Sequence, residues 1–274
     1  MEKNILLTIE YDGTKFSGWQ KQPEKRTVQG EIERALSFVC NQDIKINGTS
    51  RTDAGVHANG QRANFKADIK IPTDRLKLAV NNILCGSKNA LNAVGDVRIV
   101  DAEEKSQEFH ARFDAKGKKY IYRIIGGGES NIFKRNYAYQ ISEHLNAEAM
   151  QEAAEYMIGK KDFRSFRAAG GDENQTTVRT IKSIEVLKTI SLHGVPTPDK
   201  SKVKQKQHFD IEVIGDGFLY NMVRIMVGTL VEVGLGKITP RAVPFIIESC
   251  DRQSAGHTAP PQGLYLAEVY YCMI

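Results

Sequence analysis

The apolar residues of this chain recur at two different intervals, and each interval predicts one kind of element. Residues 4–12 carry an apolar side chain at every second position, which is typical of a strand. Residues 28–40 repeat at three and four positions, which predicts a helix with Thr27 as its N-cap and Asn41 just past its end. The other elements predicted before residue 105 are strands near 44–50, 60–66 and 97–100 and a helix over about 74–84.

The rest of the chain repeats that order. The predicted elements there are strands over 118–125, 178–187, 207–214 and 264–271 and helices over 146–158 and 218–235. Each half reads β-α-β-β-α-β, so we predict an α+β fold of two ferredoxin-like halves, 1–104 and 105–274, joined near 102–116. Open sheet faces are available to a partner, and we expect the halves to pack around a cleft for a large ligand.

Composition excludes several classes of protein. With 41% apolar and 26% charged residues in 274, the chain is neither a disordered tail nor a coiled coil. The apolar stretch 218–235 contains Asn221, Arg224 and Glu232, so we interpret it as a helix outside any membrane.

The spacing of the cysteines bears on whether the chain binds a metal ion, and residues 1–10 bear on its cellular compartment. Four widely spaced cysteines form no C-x-x-C pair, so we expect core thiols and no metal site. Residues 1–10 have no basic leader followed by an apolar run, which favours a cytoplasmic, reducing compartment.

The net charge of +5 is small, but the basic residues are concentrated in three strips. These strips are Arg112 to Arg123 with Lys116, Lys118 and Lys119; Lys160, Lys161, Arg164 and Arg167; and Lys200, Lys202, Lys204 and Lys206. The period of two in the third strip predicts one strand face. Such runs are either solvated surface or phosphate contacts for a nucleic acid.

The segment 48–58 combines reactive residue types on a predicted loop between two strands. Asp53 is close to Arg51, the arrangement of a carboxylate kept ionised by a cation. The alternative is a plain turn, in which Asp53 caps backbone amides and Gly55 supplies a positive φ.

Short motifs are distributed along nearly the whole chain. One is R-T-D-A-G-V-H-A at 51–58. In order along the chain, the others are YDGT at 11–14, FSGWQ at 16–20, TVQG at 27–30, FHARF at 109–113, KY at 119–120, DFRSFR at 162–167, NMVR at 221–224 and GLYL at 263–266. Together these motifs resemble the TruA family of bacterial tRNA pseudouridine synthases, and the segment at 51–58 resembles that family's active-site motif.

The resemblance implies an isomerase that converts uridine to pseudouridine in tRNA. In the family the aspartate matching Asp53 is catalytic, either as nucleophile or by taking a sugar proton, and no cofactor is used. The family modifies positions 38–40 of the anticodon stem-loop and binds tRNA as a homodimer. Residues 189–207 depart from the family pattern with a longer, lysine-rich hairpin, so a paralogue that modifies another tRNA site or ribosomal RNA is the alternative.

The same resemblance assigns further residues. It places Tyr120 against the uracil, Leu264 on the other side of the pocket, Arg224 in a salt bridge to Asp53, and Arg51 in the gap left by the flipped base. From the residues alone, Tyr120 fits strand packing. Arg224 lies among apolar neighbours on its helix, so its charge needs a partner, and the alternative is a side chain that extends to solvent from the helix edge. Additional residues are expected to contact RNA: His57, Arg112, Lys118, Lys119, Arg164 and Arg167.

Two other classes of function compete with this interpretation. Ferredoxin-like sheets also form non-catalytic RNA-binding modules, but the aromatic motif of such modules is missing here. A glycosidase using Asp12 and Asp53 would release free uracil or sugar instead of retaining every atom.

Overall fold

The computed structural model describes residues 2–86, 94–170, 176–193 and 204–272. Ten strands and five α-helices lie in these ranges, and most strand pairs are antiparallel. The chain divides into two compact units, Met1–Gly117 with Tyr265–Ile274 and Lys118–Leu264. The α+β class is therefore as expected.

The first unit is a sheet with two helices. Its elements are β1 (Glu2–Tyr11), α1 (Val28–Cys40), β2 (Asn47–Gly48), β3 (His57–Asp68), α2 (Thr73–Leu84), β4 (Val97–Lys105) and most of β10 (Leu264–Tyr270). Strand β1 is antiparallel to both β3 and β4, and its Ile5 lies opposite Phe65 in a fully buried pair. Strand β10 runs parallel to β3, with Tyr265 opposite His57.

Both ends of helix α1 are marked by capping residues that lie next to the helix in the sequence. The Thr27 side chain accepts a hydrogen bond from the Gly30 N–H at the start, and Asn41 adopts the left-handed conformation at the end. Both caps satisfy backbone groups that a helix leaves unpaired, and both depend only on neighbouring residues. The two predicted boundaries are confirmed.

The second unit is also a sheet covered by helices. Its elements are β5 (Gly117–Gly126), β6 (Tyr139–Ile141), α3 (Ala147–Glu155), β7 (Gly159–Asp162), β8 (Val178–His193), β9 (Lys204–Gly215), α4 (Met222–Gly234) and α5 (Val243–Glu248). Strand β9 is antiparallel to β5 and β8, and β8 to β7, while β6 is parallel to β5. Helix α4 is buried along nearly its whole length.

Several sequence predictions for this unit were incomplete. Helix α4 begins at Met222 and not at 218, because Asn221 takes a left-handed conformation (φ 59°) that a continuing helix would not allow. Strands β6 and β7 and helix α5 are only three to six residues long, too short for a period to show.

The units also divide differently from the predicted boundary after residue 104. Residues 105–117 and those from Tyr265 onward lie in the first unit, where β10 hydrogen-bonds with β3. The sequence cannot show that pairing, since the two strands are about two hundred residues apart.

The cysteines were predicted as core thiols, and this was wrong. Cys40, Cys85 and Cys250 are half-buried and Cys272 is exposed, all as free thiols. Cys40 ends α1 and Cys85 follows α2, where helix ends approach solvent. Across the described ranges, no group of histidine, cysteine or acidic residues could hold a metal ion, and no helix is long and apolar enough to cross a membrane.

Candidate active site

Asp53 lies in the connection between β2 and β3 of the first unit. Its side chain is half-buried and the neighbouring Arg51 is exposed, while Thr52 between them is buried. The backbone turns here, because the Val56 N–H donates to the Asp53 carbonyl (3.2 Å) and Gly55 has a positive φ of 79°. The loop therefore has the turn geometry that the sequence allowed, and it carries an exposed arginine and a half-buried aspartate two residues apart.

Thr52 fixes this loop to the rest of the first unit. Its hydroxyl shares a buried hydrogen bond with the Tyr11 hydroxyl (2.8 Å), and its carbonyl accepts from the Trp19 N–H (3.0 Å). A Cβ on Gly18 would lie 2.7 Å from that carbonyl, and Gly18 has a φ of 91°. The segment 11–19 thus packs directly beneath the residue that precedes Asp53, a contact that sequence reasoning missed.

Gln61 supports the start of the loop. It is fully buried on β3, its Nε2 donates to the Ser50 carbonyl (2.7 Å), and its Oε1 accepts from the Ser50 N–H (3.3 Å). One amide side chain therefore pairs with both backbone groups of Ser50, as a neighbouring strand would. No sequence pattern indicated this role, because a buried glutamine on a strand has no characteristic spacing.

His57 does not fit its predicted RNA contact. Its side chain is 2% exposed, stacks on Tyr265 with ring centroids 4.7 Å apart, and accepts from the Gly13 N–H through Nδ1 (3.0 Å). The Asp12 carboxylate is 3.3 Å from the same nitrogen. A ring enclosed in this way cannot reach a ligand outside the unit, so its contacts indicate support of the loop that follows β1.

Tyr120 and Tyr122 lie on β5 of the second unit. Tyr120 is 7% exposed and meets Phe218 edge-on, with ring centroids 5.1 Å apart. Tyr122 is fully buried and its hydroxyl donates to the Pro260 carbonyl (2.6 Å). Burial raises the pKa of Tyr122 well above its ordinary value, although the nearby Arg224 charge opposes the shift. Tyr122 is thus a neutral packing residue.

Arg224 is half-buried near the beginning of α4 and is held by two hydrogen bonds. Its Nε donates to the Ala259 carbonyl (2.7 Å) and its Nη1 to the Asn221 side-chain oxygen (2.7 Å). The Ala259 N–H also donates to the Arg224 carbonyl (3.1 Å), so both the side chain and the backbone of Arg224 are hydrogen-bonded to Ala259. The guanidinium is therefore oriented and does not extend along the helix surface toward solvent.

Leu264 is 6% exposed at the start of β10. The preceding Gly263 passes so close to Tyr122 that a Cβ there would lie 2.6 Å from the tyrosine ring. Any larger residue would push this strand start away from β5. The close approach explains the glycine in the G-L-Y-L segment.

The basic residues proposed for RNA contact have different surroundings. In the first unit Arg112 is exposed. In the second, Lys119 is half-buried in an ion pair with Glu212 (2.6 Å), Lys118 and Arg167 are half-buried, and exposed Arg164 is 3.9 Å from Asp162.

The third basic strip is not one solvated strand face. Lys206 is 5% exposed, and its ammonium donates to the Glu129 carbonyl. Lys200, Lys202 and the Lys204 side chain lie outside the described residues.

Comparison with known proteins gives a consistent family. Residues 7–114 and 153–272 match the family model of tRNA pseudouridine synthases. A protein of Ruminiclostridium cellulolyticum named tRNA pseudouridine synthase A is 45% identical over 98% of this chain and 100% of its own length. One of Clostridium tetani named tRNA pseudouridine synthase A 2 is 42% identical over 99% and 100%. The loop that carries Asp53 and the segments that carry Arg224 and Leu264 lie within the matched residues, and the chain belongs to the tRNA pseudouridine synthase family.

Proposed function

We propose that this protein isomerises uridine to pseudouridine in tRNA. The observation that carries the proposal is the family match over both units together with Asp53, which stands on a loop held by buried hydrogen bonds. A rigid support matters because catalysis needs the carboxylate at a fixed position relative to the ribose.

The reaction explains why one carboxylate is enough. The bond from C1′ to N1 breaks, the uracil turns, and a bond from C1′ to C5 forms while the C5 proton is lost and N1 gains one. The Asp53 carboxylate either adds to the ribose or removes a sugar proton as positive charge develops there. Uracil leaves as a stabilised anion, so a second acid is not needed, and the product has the atoms of the substrate. The balance requires no cofactor.

We assign the other site residues on the family resemblance. Arg224 is proposed as the counter-ion of Asp53, Tyr120 and Leu264 as contacts of the uracil, and Arg51 as the residue that braces the RNA after base flipping. Support comes from their settings: the Arg224 guanidinium is already oriented by Asn221 and Ala259, and Arg51 is exposed beside Asp53.

We further propose positions 38–40 of the anticodon stem-loop as the target, a homodimer as the active form, a cytoplasmic location and two ferredoxin-like halves. The order β1-α1-β2-β3-α2-β4 in the first unit supports the last point. Among the described exposed basic residues, Arg112 and Arg164 are proposed as phosphate contacts.

The test compares Asp53→Asn with Asp101→Asn, a matched change at an exposed aspartate on β4. Tritium release from tRNA labelled at uridine C5 measures isomerisation, and filter binding measures tRNA affinity. Asp53→Asn should bind tRNA and release no tritium, while Asp101→Asn should match the wild type. Transcripts with cytidine at positions 38–40 should not react.

Three results would contradict the proposal. Pseudouridine formation by Asp53→Asn would remove the assigned carboxylate. Tight tRNA binding without any conversion by the wild type would favour a non-catalytic RNA-binding protein. Free uracil among the products would indicate a glycosidase.

A further inference from the structure

In the turn 110–114 of the first unit, each of the five backbone N–H groups donates a hydrogen bond. The His110 N–H donates to the Asp114 carboxylate (2.8 Å), and the Asp114 N–H returns to the His110 carbonyl (3.0 Å). The backbone N–H groups of Arg112 (3.1 Å) and Phe113 (3.4 Å) donate to His110 Nδ1. The backbone N–H of Ala111 donates to Asn64 Oδ1 (3.0 Å). The turn therefore keeps its shape without using the side chains of Arg112 and Phe113 as hydrogen-bonding groups.

Buried side chains fix this turn to the sheet. Ala111 is fully buried, and its carbonyl accepts from the Thr49 and Tyr271 hydroxyls, both at 3.0 Å. Asn64 in turn donates to the Asn4 side chain (2.8 Å), which itself donates to the Ser106 and Phe109 carbonyls. A network of this kind is rigid because every buried member has a partner.

The rigid turn presents an aromatic ring and a cation to solvent. Phe113 is 74% exposed and stacks on His110, with ring centroids 4.2 Å apart and an angle of 30°. The Arg112 guanidinium lies 6.0 Å from the centroid of the Phe113 ring, and Lys116 is exposed three residues further on. Within the described ranges Arg112 has no acidic partner.

We propose that Phe113 is a stacking platform for an unpaired base of the substrate tRNA, with Arg112 on an adjoining phosphate. Single exposed apolar side chains are common on protein surfaces, so exposure alone does not identify a site; the Phe113 ring is in addition stacked on His110 at a turn whose hydrogen bonds do not need it. An exposed ring on fixed backbone beside an exposed cation has the parts of a single-stranded nucleic-acid site, since stacking holds the base and the cation binds the phosphate backbone. The inference rests on the proposed tRNA substrate and adds a contact outside the residues assigned to the reaction.

The experiment uses an unmodified tRNA transcript that the wild type converts, and measures Kd over a range of salt concentrations. Phe113→Ala should raise Kd by about five- to 150-fold, the loss expected for one stacked base. Its plot of log Kd against log salt should stay parallel to that of the wild type, because no charge is lost. Arg112→Gln should flatten the slope by roughly one, the value for one phosphate contact.

Matched variants separate stacking from other effects. Phe113→Trp should retain affinity and Phe113→Leu should lose it, since only the first keeps a ring. Phe38→Ala removes a phenylalanine of equal exposure, 74%, from α1 of the same unit and should bind as the wild type. Thermal unfolding of each variant checks that it folds. If Phe113→Ala does not fold, the tRNA affinities of Phe113→Trp and Phe113→Leu decide whether the ring is stacked.

Three outcomes would overturn the inference. Equal affinity of Phe113→Ala and the wild type would remove the platform. Equal losses in Phe113→Leu and Phe113→Trp would show that the ring is not stacked. A changed sedimentation coefficient with unchanged tRNA affinity would make this surface a contact between subunits. Because the wild type must still convert the transcript in each case, these results leave the proposed isomerase activity standing.

Discussion

The hydrogen bond between the Tyr11 and Thr52 hydroxyls gives the sharpest test of how the catalytic loop is held. Tyr11→Phe removes one oxygen and keeps the ring beside Trp19, where the centroids are 6.1 Å apart. Thr52→Val removes the other hydroxyl with almost no change of shape. Both residues are buried, at 5% and 7% exposure, so surface water cannot replace the missing hydrogen-bond partner in either single variant.

The expected magnitudes follow from the asymmetry of buried hydrogen bonds. Tyr11→Phe leaves the Thr52 hydroxyl buried without its partner, which should lower the free energy of unfolding by about 1–3 kcal/mol. Thr52→Val should cost a similar amount. The double variant replaces both partners by apolar groups and should be close to neutral, so the coupling energy should have a magnitude of about 2–6 kcal/mol, the sum of the two single losses.

Urea denaturation followed by circular dichroism measures the four free energies. Single-turnover tritium release and tRNA binding on the same proteins show the functional effect. Each single variant should convert tRNA more slowly with unchanged affinity, because Thr52 adjoins Asp53 and both altered side chains are buried. Stability losses that simply add in the double variant would refute the reasoning, since they would mean that the two hydroxyls do not interact.

Two further predictions concern the second unit. Gly228→Ala should lower the free energy of unfolding by about 1–3 kcal/mol, because the new Cβ would lie 1.8 Å from the His257 carbonyl. Gly217→Ala is the control, since a Cβ there would make only ordinary van der Waals contacts. Equal losses of stability in the two variants would contradict the steric explanation. Burial disfavours the charged form of Glu232, but hydrogen bonds from the ring and backbone N–H of His257 outweigh it and lower the pKa of Glu232. The folded pKa is the lower one, so this stabilisation is present above the unfolded pKa and is lost as pH falls through the folded value. Glu232→Gln should therefore lose less stability on acidification in urea titrations, and an unchanged loss would exclude Glu232 as its source.

Elements with local signals could be predicted from the sequence. Helix α1 is an example, because its apolar face and both caps lie within neighbouring residues. Helix α5 could not be predicted, since six residues with a proline give no period. The membership of β10 in the first unit depends on pairing with β3, which only the folded chain brings about.

The chemistry of the site was predictable in residue type and less so in setting. The loop around Asp53 and its turn at Gly55 follow from residue types and the family motif. The support of that loop by Tyr11 and Gln61 arises from tertiary contacts with no spacing rule. Burial reversed the expectation for His57 and Lys206, because polar residues with a satisfied partner can lie inside a fold.

The position of Trp19 has a spectroscopic consequence. It is the one tryptophan in the sequence, is 2% exposed, and lies so close to Gly48 that a Cβ there would be 2.4 Å from its indole nitrogen. Tryptophan emission from this protein therefore originates entirely beneath the loop that carries Asp53. A red shift on heating or in urea would report opening of the first unit at that loop, and the second unit would melt without contributing to the signal.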